Sequence, residues 1–237
     1  VDAAGHWIYT LDNANPAVQA LGAQGKLTDT ITVTSLDGTP QQITVSINGT
    51  NDAARIAGTQ TGDVTEDQNV SATAKIEAAG QLTVTDVDSG EAHFIAQPNA
   101  AGSYGSFTLD ATGHWTYTAD NTQTAVQQLK AGDTLTDTFT VSSADGTSHT
   151  ITVTLKGSND APVLSAQTQS VDEDGASLTG HMSATDLDVG DRLTFSTMAA
   201  TPGFTLNSDG SYSFDPSNTA YQHLGAGQTQ DVTIPIT

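Results

Sequence analysis

The chain of 237 residues carries 27 acidic against six basic side chains, a net charge of −21, and no cysteine. So few cations leave nothing to neutralise phosphate, which excludes nucleic acid and anionic membrane as partners. The missing thiols exclude disulfides, thiolate chemistry and cysteine zinc sites. No apolar run approaches the roughly 18 residues that span a bilayer, so no direct membrane insertion is expected. The chain starts at Val1 without a leader-like segment and reads as an excerpt from a longer polypeptide. Only Glu66, Glu77, Glu91 and Glu173 are glutamates, so the other 23 acids are Asp, a bias that suits turns, caps and metal ligands better than helix surfaces.

In chain order, Gly5-His6-Trp7-Ile8-Tyr9-Thr10 opens on a strand pattern. Asn15 followed by Pro16 marks the start of one helical turn carrying Val18 and Leu21. Ile31 and Val33 then alternate with Thr, as do Ile43, Val45 and Ile47, and the two runs flank Asp37-Gly38, the signal for a two-residue hairpin. The segment closes on Asn51-Asp52. After an offset of 108 the same text returns: residues 5–56 and 113–164 share 29 of 52 positions, including the Trp, the Tyr, Asp145-Gly146 and a closing Asn159-Asp160. The second helical turn is predicted near Thr124–Leu129, and its strands carry Phe139, Val141, Ile151, Val153 and Leu155. Identity kept in register over that length is duplication.

The organisation read from the repeat has three sections. Residues 1–52 hold the later part of one repeat, 53–160 a complete one, and 161–237 the early and middle part of a divergent third. In that third section Gly210-Ser211-Tyr212-Ser213-Phe214 stands for the Gly-His-Trp segment. The expected fold is all-β: tandem Ig-like or cadherin-like β-sandwich modules with one short helical turn each, incomplete at both ends.

Each Asn-Asp is followed by one acidic order. The first set is Asn51-Asp52, Glu66-Asp67 and Asp86-Val87-Asp88; the second is Asn159-Asp160, Glu173-Asp174, Asp186-Leu187-Asp188 and Asp191. Calcium takes six to eight oxygen ligands and tolerates their coming from distant loops. Each set is therefore expected to converge on a boundary between modules around Ca²⁺, without which the carboxylates would repel.

The segments Gly49-Thr50-Asn51-Asp52, Leu82–Glu91, Gly102–Phe107, Gly113–Thr118 and Leu135–Val141 together resemble the VCBS repeat of long bacterial surface proteins and adhesins of the RTX type. The resemblance covers the first section and the middle repeat, and the third section resembles a related cadherin-like extender domain. The acidic order is also similar to that of cadherins, where calcium binds between successive sandwiches. This resemblance implies ligands at Asn51, Asp52, Glu66, Asp67, Asp86, Asp88, Asn159, Asp160, Glu173, Asp174, Asp186, Asp188 and Asp191. One departure stands out: Ala53-Ala54-Arg55 replaces Ala161-Pro162-Val163, so the first linker lacks its stiffening Pro and places a cation nearby.

Other residues read as ordinary structure. Asp12, Asp29 and Asp37 and their counterparts Asp120, Asp137 and Asp145 fit turns and strand ends; His6 and His114 fit surface positions. Alternation sends Trp7 with Tyr9, and Trp115 with Tyr117, to one face, which is the core rather than a sugar-stacking shelf. Asn48-Gly-Thr50 and Asn69-Val-Ser71 match the glycosylation pattern but not a bacterial context.

The functional expectation is a calcium-stiffened extender of an adhesin at the bacterial cell surface, secreted and extracellular, supporting cell adhesion or biofilm formation. Its partners would be neighbouring repeats, with any host-cell or matrix receptor met through other domains. The alternative is a carbohydrate- or protein-binding module using loops at a sandwich end. No enzyme is expected, because no nucleophile, base and orienting residue occur together and the acidic pairs recur with the repeat.

Overall fold

The structure is a computed structural model that describes residues 1–237. It divides into two compact units, one of residues 1–123 with 134–156 and one of 124–133 with 157–237.

The first unit opens with α1 (Pro16–Gln19). Its start is dictated locally: the Asn15 side chain accepts the Ala17 N–H at 3.0 Å, and Pro16 takes the first helical position, where no N–H is needed. β1 (Lys26–Thr34) and β2 (Pro40–Asn48) follow as an antiparallel pair in register from Lys26 with Asn48 to Thr34 with Pro40. The middle repeat adds β3 (Arg55–Gly58), β4 (Thr61–Thr65), β5 (Lys75–Thr85), β6 (Gln97–Ala101), β7 (Gly105–Leu109), β8 (His114–Asp120), β9 (Thr134–Ser142) and β10 (Ser148–Lys156). They form a five-stranded sheet in the order β3-β5-β8-β7-β6 and a three-stranded sheet β4-β10-β9. The chain changes sheets between β3 and β4, where Gly58 sits at φ 110 and a Cβ would meet the Gln81 carbonyl oxygen at 2.4 Å. Only glycine is comfortable there. Beyond it, β4 runs parallel to β10.

Period-two burial decides which side chains fill the space between the sheets. Trp115, Tyr117 and Ala119 of β8, Phe107 and Leu109 of β7, and Ile76 and Leu82 of β5 point inward from one sheet. Phe139 and Val141 of β9, Ile151, Val153 and Leu155 of β10 and Val64 of β4 face them. The two layers meet where the Phe107 and Phe139 rings stack at 4.7 Å, with Tyr117 tilted against Phe139 at 5.9 Å. The Thr residues between these positions stay on the outer faces, as the alternation required.

Both Asp-Gly hairpins differ from the two-residue expectation. Ser143 N–H donates to Thr147 O, and Gly146 N–H to Ser143 O, so Ala144, Asp145 and Gly146 form a three-residue loop with Gly146 left-handed at φ 90. The Asp145 carboxylate explains the choice. It accepts Ser143 Oγ, Thr147 N–H and Thr147 Oγ1, which pulls the loop around its own side chain. Ser35 to Thr39 repeat the arrangement around Asp37.

The first section shows the same sequence without its partners. Residues 5–10 form no strand, Trp7 is 50% exposed and Ile8 92%, whereas Trp115 is fully buried. A strand needs a neighbour, and β1-β2 is a sheet of two. In the second unit, α2 (Thr124–Gln127) is followed by β11 (Val163–Leu164), β12 (Leu178–His181), β13 (Ala184–Thr185), β14 (Phe204–Leu206) and β15 (Ser211–Phe214). They pair as β11-β13 and β12-β15-β14. Its aromatic contacts run from Phe204 to Tyr212 and from Phe214 to Tyr221, and only Tyr221 of the four is buried.

One sequence expectation needs correction here. Asp137 is not a turn or strand-end residue; it occupies an inward position of β9 and is 2% exposed. Its carboxylate accepts the N–H groups of Ser103, Tyr104 and Gly105 at 2.6, 3.0 and 3.0 Å and the Tyr117 hydroxyl at 2.7 Å. Burial and this carboxylate together raise the Tyr117 pKa. Four donors on one buried carboxylate fix the turn between β6 and β7 to the core. Asp137→Ala would leave the buried Tyr117 hydroxyl and three turn amides unpaired, and we expect a loss of about 3 kcal/mol in urea unfolding. Asp29, its exposed counterpart, reaches only the Tyr9 hydroxyl at 3.2 Å, so Asp29→Ala should stay within about 0.5 kcal/mol.

Candidate metal centres

The first boundary is assembled by three chain segments of the first unit. Asp52 N–H donates to Asp88 Oδ2 at 2.7 Å, and Asp88 N–H donates to Asp86 Oδ1 at 2.9 Å. The next residue, Ser89, donates its N–H to Ala20 O at 3.1 Å, which ties the Asp-x-Asp loop to the residue that ends α1. Asn51 turns its amide Nδ2 onto the Asp52 carbonyl at 2.9 Å. The Ala54 N–H donates to Asp145 Oδ2 at 3.0 Å. Ala54 stands where the second linker has Pro162, so a hydrogen bond that Pro could not make fixes the linker in place of the ring. Several donors act on Asp145: burial opposes its ionisation, but the hydrogen bonds from Ser143, Thr147 and Ala54 outweigh burial and lower its pKa.

Except for the Ala54 bond, the second boundary repeats this arrangement inside the second unit. Asp160 N–H donates to Asp188 Oδ2 at 2.8 Å, Asp188 N–H to Asp186 Oδ1 at 3.0 Å, and Asn159 Nδ2 to Asp160 O at 2.6 Å. Val189 N–H reaches Gln128 O at 3.3 Å, and Gln128 is the counterpart of Ala20. Asn159, Asp160, Asp186 and Asp191 line one cleft of about 220 Å³.

Hydrogen bonding uses one oxygen of each Asp-x-Asp carboxylate, Asp86, Asp88, Asp186 and Asp188. Asp88 is 2% exposed and Asp188 3% exposed, yet Oδ1 of each is buried without a hydrogen-bond partner. Asp86 Oδ2 and Glu91 Oε2 are in the same condition. Burial, and then the charges of Asp88, Asp86 and Asp145, raise the pKa of Glu91. Buried carboxylate oxygens that lack donors are what a hard divalent cation would satisfy, so the residue types present fit calcium. Glu91 was not among the expected ligands. The signal was in the sequence, since Asp86-x-Asp88-x-Gly90-Glu91 matches Asp186-x-Asp188-x-Gly190-Asp191, whose last residue was included.

The Glu-Asp pairs sit differently. Glu66 is 1% exposed and donates its N–H to Lys156 O, at the end of β10. Asp67 and Asn121 exchange two hydrogen bonds, Asp67 N–H to Asn121 Oδ1 at 3.1 Å and Asn121 Nδ2 to Asp67 Oδ1 at 2.6 Å. These contacts belong to the downstream end of the middle repeat, not to the Asp52, Asp86 and Asp88 group with which sequence order had placed them. The Glu173-Asp174 pair copies the backbone: Asp174 has φ 54 and Asp67 φ 56, both left-handed. Elsewhere, Trp115 and Tyr117 are fully buried, so they offer no aromatic shelf to a sugar. Asp120 pairs with Lys75 at 2.8 Å rather than with a metal group.

No helix is long and apolar enough to cross a membrane. No curated protein matches the chain. Among solved structures it is similar to the protocadherin gammaB4 extracellular domain at 17% identity and a TM-score of 0.44, covering 92% of this chain and 35% of that one. Human CDH23 EC21-23 gives 17% identity and a TM-score of 0.43, with 80% and 63% covered. Titin domains I67-I69 give 10% and 0.40, with 83% and 66% covered. The chain thus spans about a third of the protocadherin. Residues 51–157 match the family model of the bacterial cadherin-like domain and residues 159–237 that of the bacterial Ig domain, families that are typically extracellular, non-enzymatic structural modules.

Proposed function

We propose that this chain is a calcium-stiffened extender region of a bacterial surface adhesin of the VCBS-repeat, RTX type, secreted to the cell surface and serving cell adhesion or biofilm formation. The observation that carries this reading is the pair Asp88 and Asp188, each buried, each holding the Asn-Asp backbone with one oxygen and keeping the other without a donor. Calcium bound there would supply the missing positive charge. Asn51, Asp52, Asp86 and Asp88 would hold it at the first boundary, and Asn159, Asp160, Asp186, Asp188 and Asp191 at the second, with Glu66, Asp67, Glu173 and Asp174 as further acidic candidates. Neighbouring repeats are the immediate partners, and a host-cell or matrix receptor would be met by other domains. A chain without cysteine needs such a staple in an oxidising exterior.

Calcium should therefore raise the melting temperature. Extracellular modules bind it with dissociation constants of about 10⁻⁴–10⁻³ M, and a tenfold excess over that constant adds about 1.4 kcal/mol per ion to the folded state. Scanning calorimetry in 10 mM calcium against EDTA should show a rise of several degrees, and superimposable curves would sink the reading. The ligands should also act as a set. Asp186→Asn with Asp188→Asn should remove the second boundary's share of a calcium titration, whereas the charge-matched control Asp133→Asn with Asp231→Asn, both exposed, should titrate as the parent. Equal titrations for the two double variants would place the cation elsewhere. Small-angle scattering addresses the stiffening: we expect calcium to narrow the spread of dimensions, because separate modules in one chain otherwise move freely. A flexibility profile indifferent to calcium leaves binding intact and removes the spacer mechanism.

A further inference from the structure

The two boundaries are copies in backbone and opposites in one side chain. In both, the loop after Asp-x-Asp is tied to the carbonyl of residue 20 or 128, which brings the residue two places later, Gly22 or Lys130, against the acid that ends the loop, Glu91 or Asp191. At the second boundary Lys130 Nζ lies 3.6 Å from Asp191 Oδ1, so the chain supplies its own cation. At the first there is no side chain. A Cβ on Gly22 would come within 2.4 Å of Glu91 Oε1 and 3.6 Å of the Asp88 Cβ, so the Glu91 carboxylate occupies the space the lysine uses in the other copy. Its Oε2 is buried with no hydrogen-bond partner, and Asp88 Oδ1 is buried and lacks one too. Glu91 thus keeps a buried oxygen that no donor in the protein answers.

We infer that Glu91 is an additional calcium ligand of the first boundary, and that Lys130 is a built-in counter-ion that weakens calcium binding at the second. The inference rests on the calcium reading above and adds to it that the boundaries fill in order. Affinity at oxygen sites follows the number and charge of the ligands. The first boundary offers Asp52, Asp86, Asp88 and Glu91 with no lysine against Glu91, only Arg55 in the linker and His93 two residues on, and the second offers Asp160, Asp186, Asp188 and Asp191 against Lys130, with Arg192 lining the same cleft. As calcium rises, the first boundary loads and locks before the second, whose lysine meanwhile holds Asp191 in place.

The test is calorimetric titration of the whole chain with calcium alone. Glu91→Gln keeps the size and should weaken the tighter class of binding by about tenfold, the order expected for one lost carboxylate ligand. In the Asp86→Asn, Asp88→Asn background the same change should do nothing further. Lys130→Gln should tighten the weaker class several-fold, and Gly22→Lys should weaken the tighter class. Melting in EDTA checks that each variant is folded, and Glu91→Gln, which relieves repulsion, should melt no lower than the parent. A Glu91→Gln titration identical to the parent's, or a Lys130→Gln variant that binds no better at the second boundary, overturns the inference while calcium binding stands. A parent that takes up no calcium overturns the calcium reading itself, and this inference with it.

Discussion

Each repeat boundary depends on one hydrogen bond, the N–H of the Asn-Asp aspartate donated to a buried aspartate of the Asp-x-Asp loop. At the first boundary the pair is Asp52 and Asp88, at the second Asp160 and Asp188. A carboxylate is held at this depth only if its charge is answered, and one backbone donor answers only one oxygen. The remaining oxygen sets the problem that the surrounding groups share. Asp86 or Asp186 spends an oxygen on the loop's own backbone, and a neighbouring acid adds further negative charge instead of relieving it. A protein of net charge −21 that gathers its acids in this manner concentrates negative charge at these loops.

Duplication makes the chain its own control. Where the copies agree, as in the four shared boundary hydrogen bonds and in the left-handed Asp67 and Asp174, the geometry belongs to the module. Where they differ, the structure shows what replaced what. Ala54 with its tie to Asp145 stands in for Pro162, two ways of restricting the same linker residue, one by a hydrogen bond and one by a ring. Gly22 and Lys130 differ in charge, and the acid opposite each changes its surroundings accordingly.

The same comparison separates two kinds of buried acid. Asp137 has four donors and serves the fold of the middle repeat, tying the turn between β6 and β7 to Tyr117. Asp88 has one donor for Oδ2 and none for Oδ1. Burial alone does not distinguish them; the donor count does, because a satisfied carboxylate has no capacity left for a ligand.

The sequence by itself determined the all-β character, the strands of the middle repeat, the helical turn capped by Asn15, and the recurrence of the Asn-Asp and Asp-x-Asp groups, because period-two alternation, capping chemistry and a 108-residue repeat are local or self-similar signals. Tertiary structure alone decided the rest. Gly-His-Trp-x-Tyr-Thr is a fully buried strand at residues 113–118 and an exposed irregular segment at residues 5–10, since a strand exists only where β5 and β7 can pair with it. Asp137 followed the Thr-Asp-Thr pattern of a strand end, and nothing in that pattern told that three amides from another strand's turn would converge on it. Glu66 was placed with Asp52 by its order in the chain, but the fold carried it to Lys156, because β4 lies parallel to β10 and such pairing links residues far apart in sequence. Gly22 came to lie against Glu91 only because the backbone of Ala20 receives Ser89, where the other copy brings a lysine to Asp191.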